Sequence, residues 1–296
     1  MTKILKAEFI ASDIKKFEIE APLIARKQKP GQFVILRVWE KGERIPVTIV
    51  NSNLQQGTIT LIVQGIGKTT KQMNLLEAGD ELHDLVGPLG NPTPIHNYGL
   101  TVCVSGGVGT AEALPIARAL KAVGNTVVAI IGARTRELVI CEAEMRAFCD
   151  EVIVATDDGS YGIRGVVTVP LHEILERAVK PNFVLAVGPL PMMKAVAEET
   201  RPYGIKTMVS LNSIMIDGTG MCGGCRATVG GETVFVCVDG PEFDAHQVNF
   251  DEIAHRQKQF VAYEQESLQI FQKHYHEIAE QCHLNRQIKA LEQNRE

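Results

Sequence analysis

Residues 100–133 read LTVCVSGGVGTAEALPIARALKAVGNTVVAIIGA, and their period decides the fold. An apolar run of strand length, 100–105, meets a glycine turn at Gly106-Gly107-Val108-Gly109. A helical stretch follows to Gly124, and a second apolar run fills 125–133. Strand, glycine turn, helix and strand are the grammar of a parallel crossover. Further units succeed it, with strands at 151–156 and 182–187 and helices at 169–179 and 191–200. They predict an open doubly wound α/β sheet over 98–210, whose ligands lie outside the carboxyl ends of the strands. Three strand ends carry candidate binding residues: Gly106, Gly107, Val108 and Gly109; Asp157 and Asp158 in TDDGSYG; Gly188 and Pro189 in GPLPMM. Glycines at the first turn let a pyrophosphate approach the free amides and positive end of the helix. The G-x-G-x-x-G fingerprint is incomplete, and Gly132-Ala133-Arg134 stands where an acidic residue would close the second strand. On this segment alone, a tight turn without a ligand is the competing reading.

Upstream, residues 1–97 break into short apolar or alternating runs at 17–21, 32–38, 45–50 and 58–64, separated by Pro30-Gly31, Lys41-Gly42 and Gln56-Gly57. That spacing predicts a small antiparallel barrel. One helix, 68–76, opens from Gly65-Ile66-Gly67. Its first turn, Gly67, Lys68, Thr69 and Thr70, joins Arg44, Pro46, Val47 and Thr48 as a second candidate constellation. An arginine and a helix N-terminus together suit a pyrophosphate, while Pro46 stiffens a strand whose backbone and Thr48 hydroxyl suit a flavin ring. The competing reading is a solvated arginine on an exposed strand. Gly67-Lys68-Thr69 is not a P-loop, because the motif's upstream glycine would be residue 62, which is Ile62.

Downstream, 211–250 is compact and rich in glycine and cysteine, with 233–238 as its one clear strand. Asp217-Gly-Thr-Gly-Met-Cys222-Gly-Gly-Cys225, followed by Cys237, has the spacing of an iron–sulfur clip with three thiolates. The plant-type spacing of four residues between the first two ligands lands on Asp217, and a carboxylate oxygen is a competent ferric ligand. Asp217, Cys222, Cys225 and Cys237 are therefore the expected metal ligands. Buried free cysteines and a zinc clip are the alternatives. The tail, 251–296, is polar and lacks glycine, and is expected to form helices against the body or a partner.

The 296 residues, 45% hydrophobic and 22% charged, have the composition of a globular chain of more than one domain. A net charge of -5 gives no basic field for nucleic acid. No apolar run approaches a membrane helix, and Glu8 and Asp13 interrupt any signal-like start, so a cytoplasmic protein is expected. Seven cysteines, an odd number, argue against a disulfide framework.

In this order, the R-x-P-x-T barrel, the GGVG nucleotide segment with its late G-P-x-x-M, and the cysteine clip resemble the ferredoxin-reductase superfamily. More narrowly they resemble the flavin and iron–sulfur electron-transfer subunits related to that of dihydroorotate dehydrogenase B. The resemblance covers about residues 1–250, and the clip is its most specific part. Asp217 in place of a first cysteine, with TDDGSYG and CVDGPEFD nearby, is similar to small subunits of NADH-dependent reduced ferredoxin:NADP+ oxidoreductases, also described as sulfide dehydrogenase subunits. Dihydroorotate-linked relatives generally keep four cysteines, and the tail is not explained by the motifs. The resemblance implies a β-barrel plus α/β architecture: a ferredoxin-reductase-like FAD-binding barrel (1–97), a doubly wound parallel-sheet NAD domain (98–210), a 2Fe-2S segment (211–250) and a helical tail (251–296). It implies FAD at Arg44, Pro46, Val47, Thr48, Gly67, Lys68, Thr69 and Thr70, and NAD(H) at Gly106, Gly107, Val108, Gly109, Asp157, Asp158, Gly188 and Pro189. It further implies electron transfer from NADH through FAD and the cluster to a large flavoprotein and iron–sulfur partner subunit with an NADP(H) site, and through that complex contact with ferredoxin. Dihydroorotate dehydrogenase, a hydrogenase or sulfur reduction are the alternative settings.

Overall fold

The computed structural model describes residues 2–280. The first part is built from β1 (Thr2–Ala11), β2 (Ile14–Glu20), α1 (Pro22–Lys27), β3 (Phe33–Arg37), β4 (Arg44–Thr48), β5 (Asn51–Asn53), β6 (Thr58–Gln64), α2 (Lys68–Met73), β7 (Glu81–Leu82) and β8 (Asp84–Leu89). The strands form antiparallel sheets in the orders β5-β6-β2-β1-β7 and β4-β3-β8. Period-2 alternation turns Phe17, Ile19, Ile59, Leu61, Val34 and Leu36 inward, and these six close one core between the two sheets. The expected barrel runs are present, and β1 is an additional strand that the sequence reading did not include. Of its apolar residues only Ile4 is fully buried, and two register shifts interrupt its ladder with β2, so alternation along it is weak.

The second part adds β9 (Leu100–Gly106), α3 (Gly109–Ala122), β10 (Thr126–Ala133), α4 (Glu142–Arg146), β11 (Glu151–Thr156), β12 (Ile163–Arg164), α5 (Thr168–Leu175), β13 (Phe183–Val187), α6 (Leu190–Thr200) and β14 (Lys206–Ser210). These strands pair in parallel in the order β12-β11-β10-β9-β13-β14. Both faces are covered: Val102, Val104, Val128 and Ile130 pack under α5 and α6, while Cys103, Val127, Ala129 and Ile131 pack under α3 and α4. Burial on both faces explains why β9 and β10 read as continuous apolar runs. The strand order reverses between β9 and β13, which creates the switch point where doubly wound sheets bind ligands.

The last part holds β15 (Arg226–Val229), β16 (Glu232–Phe235), α7 (Val236–Asp239), β17 (Glu242–Asp244), α8 (Phe250–Gln257) and α9 (Val261–Lys273). β17 runs antiparallel to β14 and completes the large sheet at its edge. The strand expected at 233–238 is corrected here. It ends at Phe235, and Val236–Asp239 is a helical turn, because the chain bends to return Cys237 to Cys225: the amides of Val236 and Cys237 meet the carbonyl and Sγ of Cys225 at 3.2 and 3.5 Å. Nor is that strand alone, since β15 pairs with it. The tail expected to be helical contains α8 and α9, and its residues 281–296 lie outside the described residues. Among the described residues no helix is long and apolar enough to cross a membrane.

Candidate functional site

A cavity of about 710 Å³ opens at the switch point, between the sheet and the barrel. Its nucleotide-domain wall is made of Gly106, Gly107, Val108, Gly109, Gly188 and Pro189, all singled out by the sequence, together with Asp157. Gly109 is required there by close approach: a Cβ on it would lie 2.4 Å from the Val187 carbonyl oxygen. Asp158 is not brought to the cavity. Its carboxylate turns back on the loop and accepts from the Ser160 amide and hydroxyl at 2.9 and 2.6 Å, and these bonds lower its pKa. Arg134, from the end of β10, shares the cavity with Asp157. The barrel supplies Ile14, Gln64 and Ile66 to the opposite wall.

Glu112, in the first turn of α3, also lines this cavity, and sequence reasoning missed it. The signal was available: one acid in the otherwise apolar stretch TAEALPIA, three residues beyond the last turn glycine. Burial pushes its carboxyl up to about 7, opposed by a hydrogen bond from the Thr48 hydroxyl across the boundary with the barrel. Thr48 itself lies on β4, the edge strand of its sheet, where Pro46 costs no ladder hydrogen bond. Val47 pairs with Val34 and Pro46 with Ile35. Arg44 is held by Asp84 at 3.3 Å, and Asp84 also takes Arg37 at 2.5 Å.

At α2, the Ile66 and Gly67 amides both donate to Thr70 Oγ1 at 3.0 Å. Lys68 Nζ lies 3.5 Å from the Glu43 carboxylate, which also accepts from the Thr69 hydroxyl. A carboxylate thus occupies the place where the sequence reading puts a pyrophosphate. Its oxygens stand in for phosphate oxygens, and the donors around them fit such an anion.

The clip packs in one core with β3 of the barrel and with the large sheet. Gly218 has φ +73°, and a Cβ there would meet Leu89 Cδ1 at 2.6 Å and Ile35 Cγ1 at 3.0 Å, so the loop packs directly on β8 and β3. Cys225 and Cys237 bring their sulfurs to 3.2 Å in a buried pocket. Burial, reinforced by Cys225, pushes the Cys237 thiol up to about 12, so a thiolate at this position needs a bound cation. Cys222 is exposed, with its Sγ 3.4 Å from the Gly224 amide. Asp217 accepts from the amides of Thr219 and Cys222 at 2.8 and 2.7 Å, and these bonds lower its pKa. Among the described residues, no three His, Cys, Asp or Glu side chains are gathered as a ready metal site. The donor types suit a two-iron cluster: Cys225 and Cys237 form one converged pair of sulfurs, while Asp217 and Cys222 lie on one loop, joined through the Cys222 backbone amide. The other carboxylates weighed for the fourth position, Asp239 and Asp244, accept from the Phe235 amide at 2.6 Å and the His246 amide at 3.0 Å.

The iron–sulfur cluster binding domain of dihydroorotate dehydrogenase B matches residues 212–249. A dihydroorotate dehydrogenase B (NAD(+)) electron transfer subunit homolog from Thermotoga maritima is 44% identical over 273 residues, 92% of this chain and 96% of the relative. The electron transfer subunit of dihydroorotate dehydrogenase B from Geobacillus thermodenitrificans is 34% identical over 254 residues, 83% of this chain and 96% of its own length. A solved structure of the NADH-dependent reduced ferredoxin-NADP oxidoreductase, described for flavin-based electron bifurcation, superposes with TM-score 0.86 at 44% identity, covering 92% of this chain and 98% of that one. Phthalate dioxygenase reductase, at 19% identity and TM-score 0.57 over 87% of this chain and 80% of its own, shares the fold.

Proposed function

Because the chain belongs to the family of dihydroorotate dehydrogenase B electron-transfer subunits and their homologues, we propose that it carries electrons from NADH through FAD and a 2Fe-2S cluster to a partner flavoprotein subunit. The partner is the larger subunit of an electron-bifurcating NADH-dependent reduced ferredoxin:NADP+ oxidoreductase, bearing the NADP(H) site and meeting ferredoxin. One observation carries this reading, the continuity of the three candidate sites. Ile14, Gln64 and Ile66 of the barrel face the glycine turn and Glu112 across one cavity, and Ile35, the strand partner of Pro46, packs against Gly218 of the clip. On this reading the barrel that would hold the flavin lies between the cavity and the thiol clip, the order that electrons would follow.

Bound FAD and cluster supply the chemistry, converting a hydride into single electrons and relaying them. The chain supplies position. The turn from Gly106 to Gly109 with Gly188 and Pro189 receives the dinucleotide, and Asp157 accepts from ribose hydroxyls and repels a 2′-phosphate. Lys68, Thr69 and Thr70 with Arg44 hold the FAD pyrophosphate once Glu43 gives way, and Pro46, Val47 and Thr48 border the ring. Asp217, Cys222, Cys225 and Cys237 hold the irons.

Arg134 lies in the same cavity as Asp157 and favours a 2′-phosphate, so nucleotide choice is a direct test. NADH is expected to bind more tightly and bleach the flavin faster than NADPH, and the reverse would overturn the assignment. The pure subunit should reduce artificial acceptors with NADH, yet not transfer electrons from ferredoxin to NADP+, because one nicotinamide site and one cluster are too few centres to divide electron pairs. Ferredoxin-dependent NADP+ reduction by the single chain would refute the division of labour. A dihydroorotate dehydrogenase partner is the second reading, favoured by the relatives at 34% identity. Anaerobic copurification from the native cell separates the two.

A further inference from the structure

We infer that Arg256, in the last turn of α8, acts on the two-iron cluster from outside its ligand set and raises its reduction potential through its charge. This rests on the reading of Asp217, Cys222, Cys225 and Cys237 as the ligands. The cluster-binding family match ends at residue 249, and α8 begins at Phe250, so nothing in that match assigns the helix a part in the iron site.

The fold nevertheless ties α8 to the clip. Asn249 caps the helix, its side chain accepting from the Glu252 amide at 3.1 Å. Phe250 and Ile253 are buried in the core that also holds Cys225 and Cys237. Arg256 follows Ile253 by three residues, so the two share one face of the helix. Burial of Ile253 therefore turns Arg256 inward, and its Nη2 donates to the Gly224 carbonyl at 3.3 Å. Next to it, Gln257 donates to the Asn212 carbonyl at 3.1 Å and to its side chain at 3.3 Å, which pins the last turn to the residue where the clip segment starts. Lys194 of α6 holds the first turn through Asp251 at 2.8 Å. A basic residue at a helix C-terminus is ordinarily accounted for by the helix dipole and solvent. Arg256 is instead half-buried and bonded to a residue 32 positions away.

That residue lies between two of the cysteines. The Gly224 amide is 3.4 Å from Cys222 Sγ, and the Gly224 carbonyl belongs to the peptide that leads into Cys225. By the reach of these bonds the guanidinium lies within about 10 Å of both sulfurs, on the order of the Debye length at 0.1 M salt. Ferric ions and sulfides held by three thiolates and a carboxylate sum to a net negative group, and reduction adds one further negative charge. A fixed cation beside that group therefore stabilises its reduced form more than its oxidised form. The other charged groups at the clip act less or oppositely. Arg226 of β15 has its Nη1 3.6 Å from where a Gly223 Cβ would stand, but it is exposed and screened by solvent. The Asp239 carboxylate, which accepts from the Phe235 amide, has the opposite sign. Arg256 thus makes the clip a better acceptor for electrons leaving the flavin without adding a ligand.

The test titrates the cluster potential of the iron-loaded full chain, followed by electron paramagnetic resonance. Arg256→Gln keeps an N–H donor and loses the charge. Its ratio of reduced to oxidised cluster at a given potential should fall about tenfold, equivalent to a shift of about 59 mV to lower potential for one electron. Arg256→Lys keeps the charge and should stay near the native potential, and the line shape should be common to all three chains because the ligands are unchanged. A native potential in Arg256→Gln, equal shifts in the Gln and Lys chains, or a changed line shape in either would overturn the proposal. If Arg256→Gln releases its iron, Arg256→Lys decides: iron retained at the native potential supports the proposal, while lost iron or a lowered potential overturns it. A native chain that takes up no iron would instead refute the ligand reading on which the proposal rests.

Discussion

Asp217 holds two amides in this fold and stands at the register of a cluster ligand, and substitutions separate the two roles. As a ligand it needs negative charge; as a turn cap it needs only an acceptor oxygen. Asp217→Asn keeps the acceptor and loses the charge, so iron content should fall in this variant as it does in Asp217→Ala, measured by iron quantification and electron paramagnetic resonance. Full occupancy with an unchanged spectrum in either variant would rule out ligation. Asp217→Cys should retain two irons at a lower potential, since thiolate donates more electron density than oxygen and stabilises the oxidised form. A second residue of consequence is Lys15, 1% exposed, whose Nζ meets the carbonyls of Asn74 and Leu76 at 3.1 and 2.8 Å and the Glu77 carboxylate at 2.8 Å. Lys15→Met keeps the stem and strands these acceptors, so a loss of about 2–3 kcal/mol is expected in urea unfolding. An unchanged midpoint would show that water replaces the ammonium. Cys222 and Cys225 were singled out on local spacing alone, which the sequence carries in full. Glu112 left a signal, one acid in an apolar stretch, but its place in the cavity wall beside Asp157 and Gly188 is set by residues far from it in the chain.

Among the elements, α9 has a role that the motifs leave unexplained. α8 anchors the tail through Phe250 and Ile253 in the nucleotide-domain core, and α9 then packs against α2, the helix that opens with Lys68, Thr69 and Thr70. Phe271 is 3% exposed on a helix that is otherwise largely solvated, with Leu268 half-buried one turn earlier. That spacing makes a narrow apolar stripe rather than a core face. Deleting the chain after Lys258 should therefore loosen α2 and weaken FAD affinity several-fold in a fluorescence titration, with the nucleotide domain left intact. Unchanged FAD affinity would mean that α9 serves something other than the flavin helix. Strands buried on both sides, β9, β10 and β13, were the most legible elements, because double burial demands unbroken apolar sequence. The turn at Val236–Asp239 was the least legible, because FVCV has strand propensity that the Cys225 contact overrides.

For the molecule as a whole, Glu242 joins its parts. It lies on β17 at the sheet edge, accepts from the hydroxyl of Thr93 in the segment leading out of the barrel at 2.6 Å, and leaves its second oxygen without a partner. Burial pushes its carboxyl from the ordinary 4.5 up to about 7. Between those values the folded chain binds more protons than the unfolded one, so this group's contribution to stability falls as pH rises through the window and levels off above it, with a limiting slope of about 1.4 kcal/mol per pH unit. Glu112 acts in the same direction. His246, lowered mainly by burial, acts oppositely, adding stability as pH rises toward its ordinary value. Urea midpoints of the cofactor-free chain should fall from pH 5 to 7.5, and Glu242→Gln should flatten that fall. Equal slopes in the two chains would show that Glu242 remains charged in the fold.

Periodicity and local spacing determined what can be fixed by neighbours in the chain. The apolar runs demanded a doubly wound sheet after a small barrel, the turn glycines marked the strand end where a dinucleotide fits, and the spacing from Asp217 to Cys225 marked an iron site. Only the tertiary structure decided which of those residues meet. It sent Asp157 into the cavity and Asp158 back onto its own loop, set Gly218 against Ile35, and put Glu112 in the cavity wall opposite the barrel. The physical reason is that period and turn chemistry act over a few residues, whereas a domain interface is chosen by the shapes and buried charges of two separately folded surfaces, and no local pattern in either segment records the other.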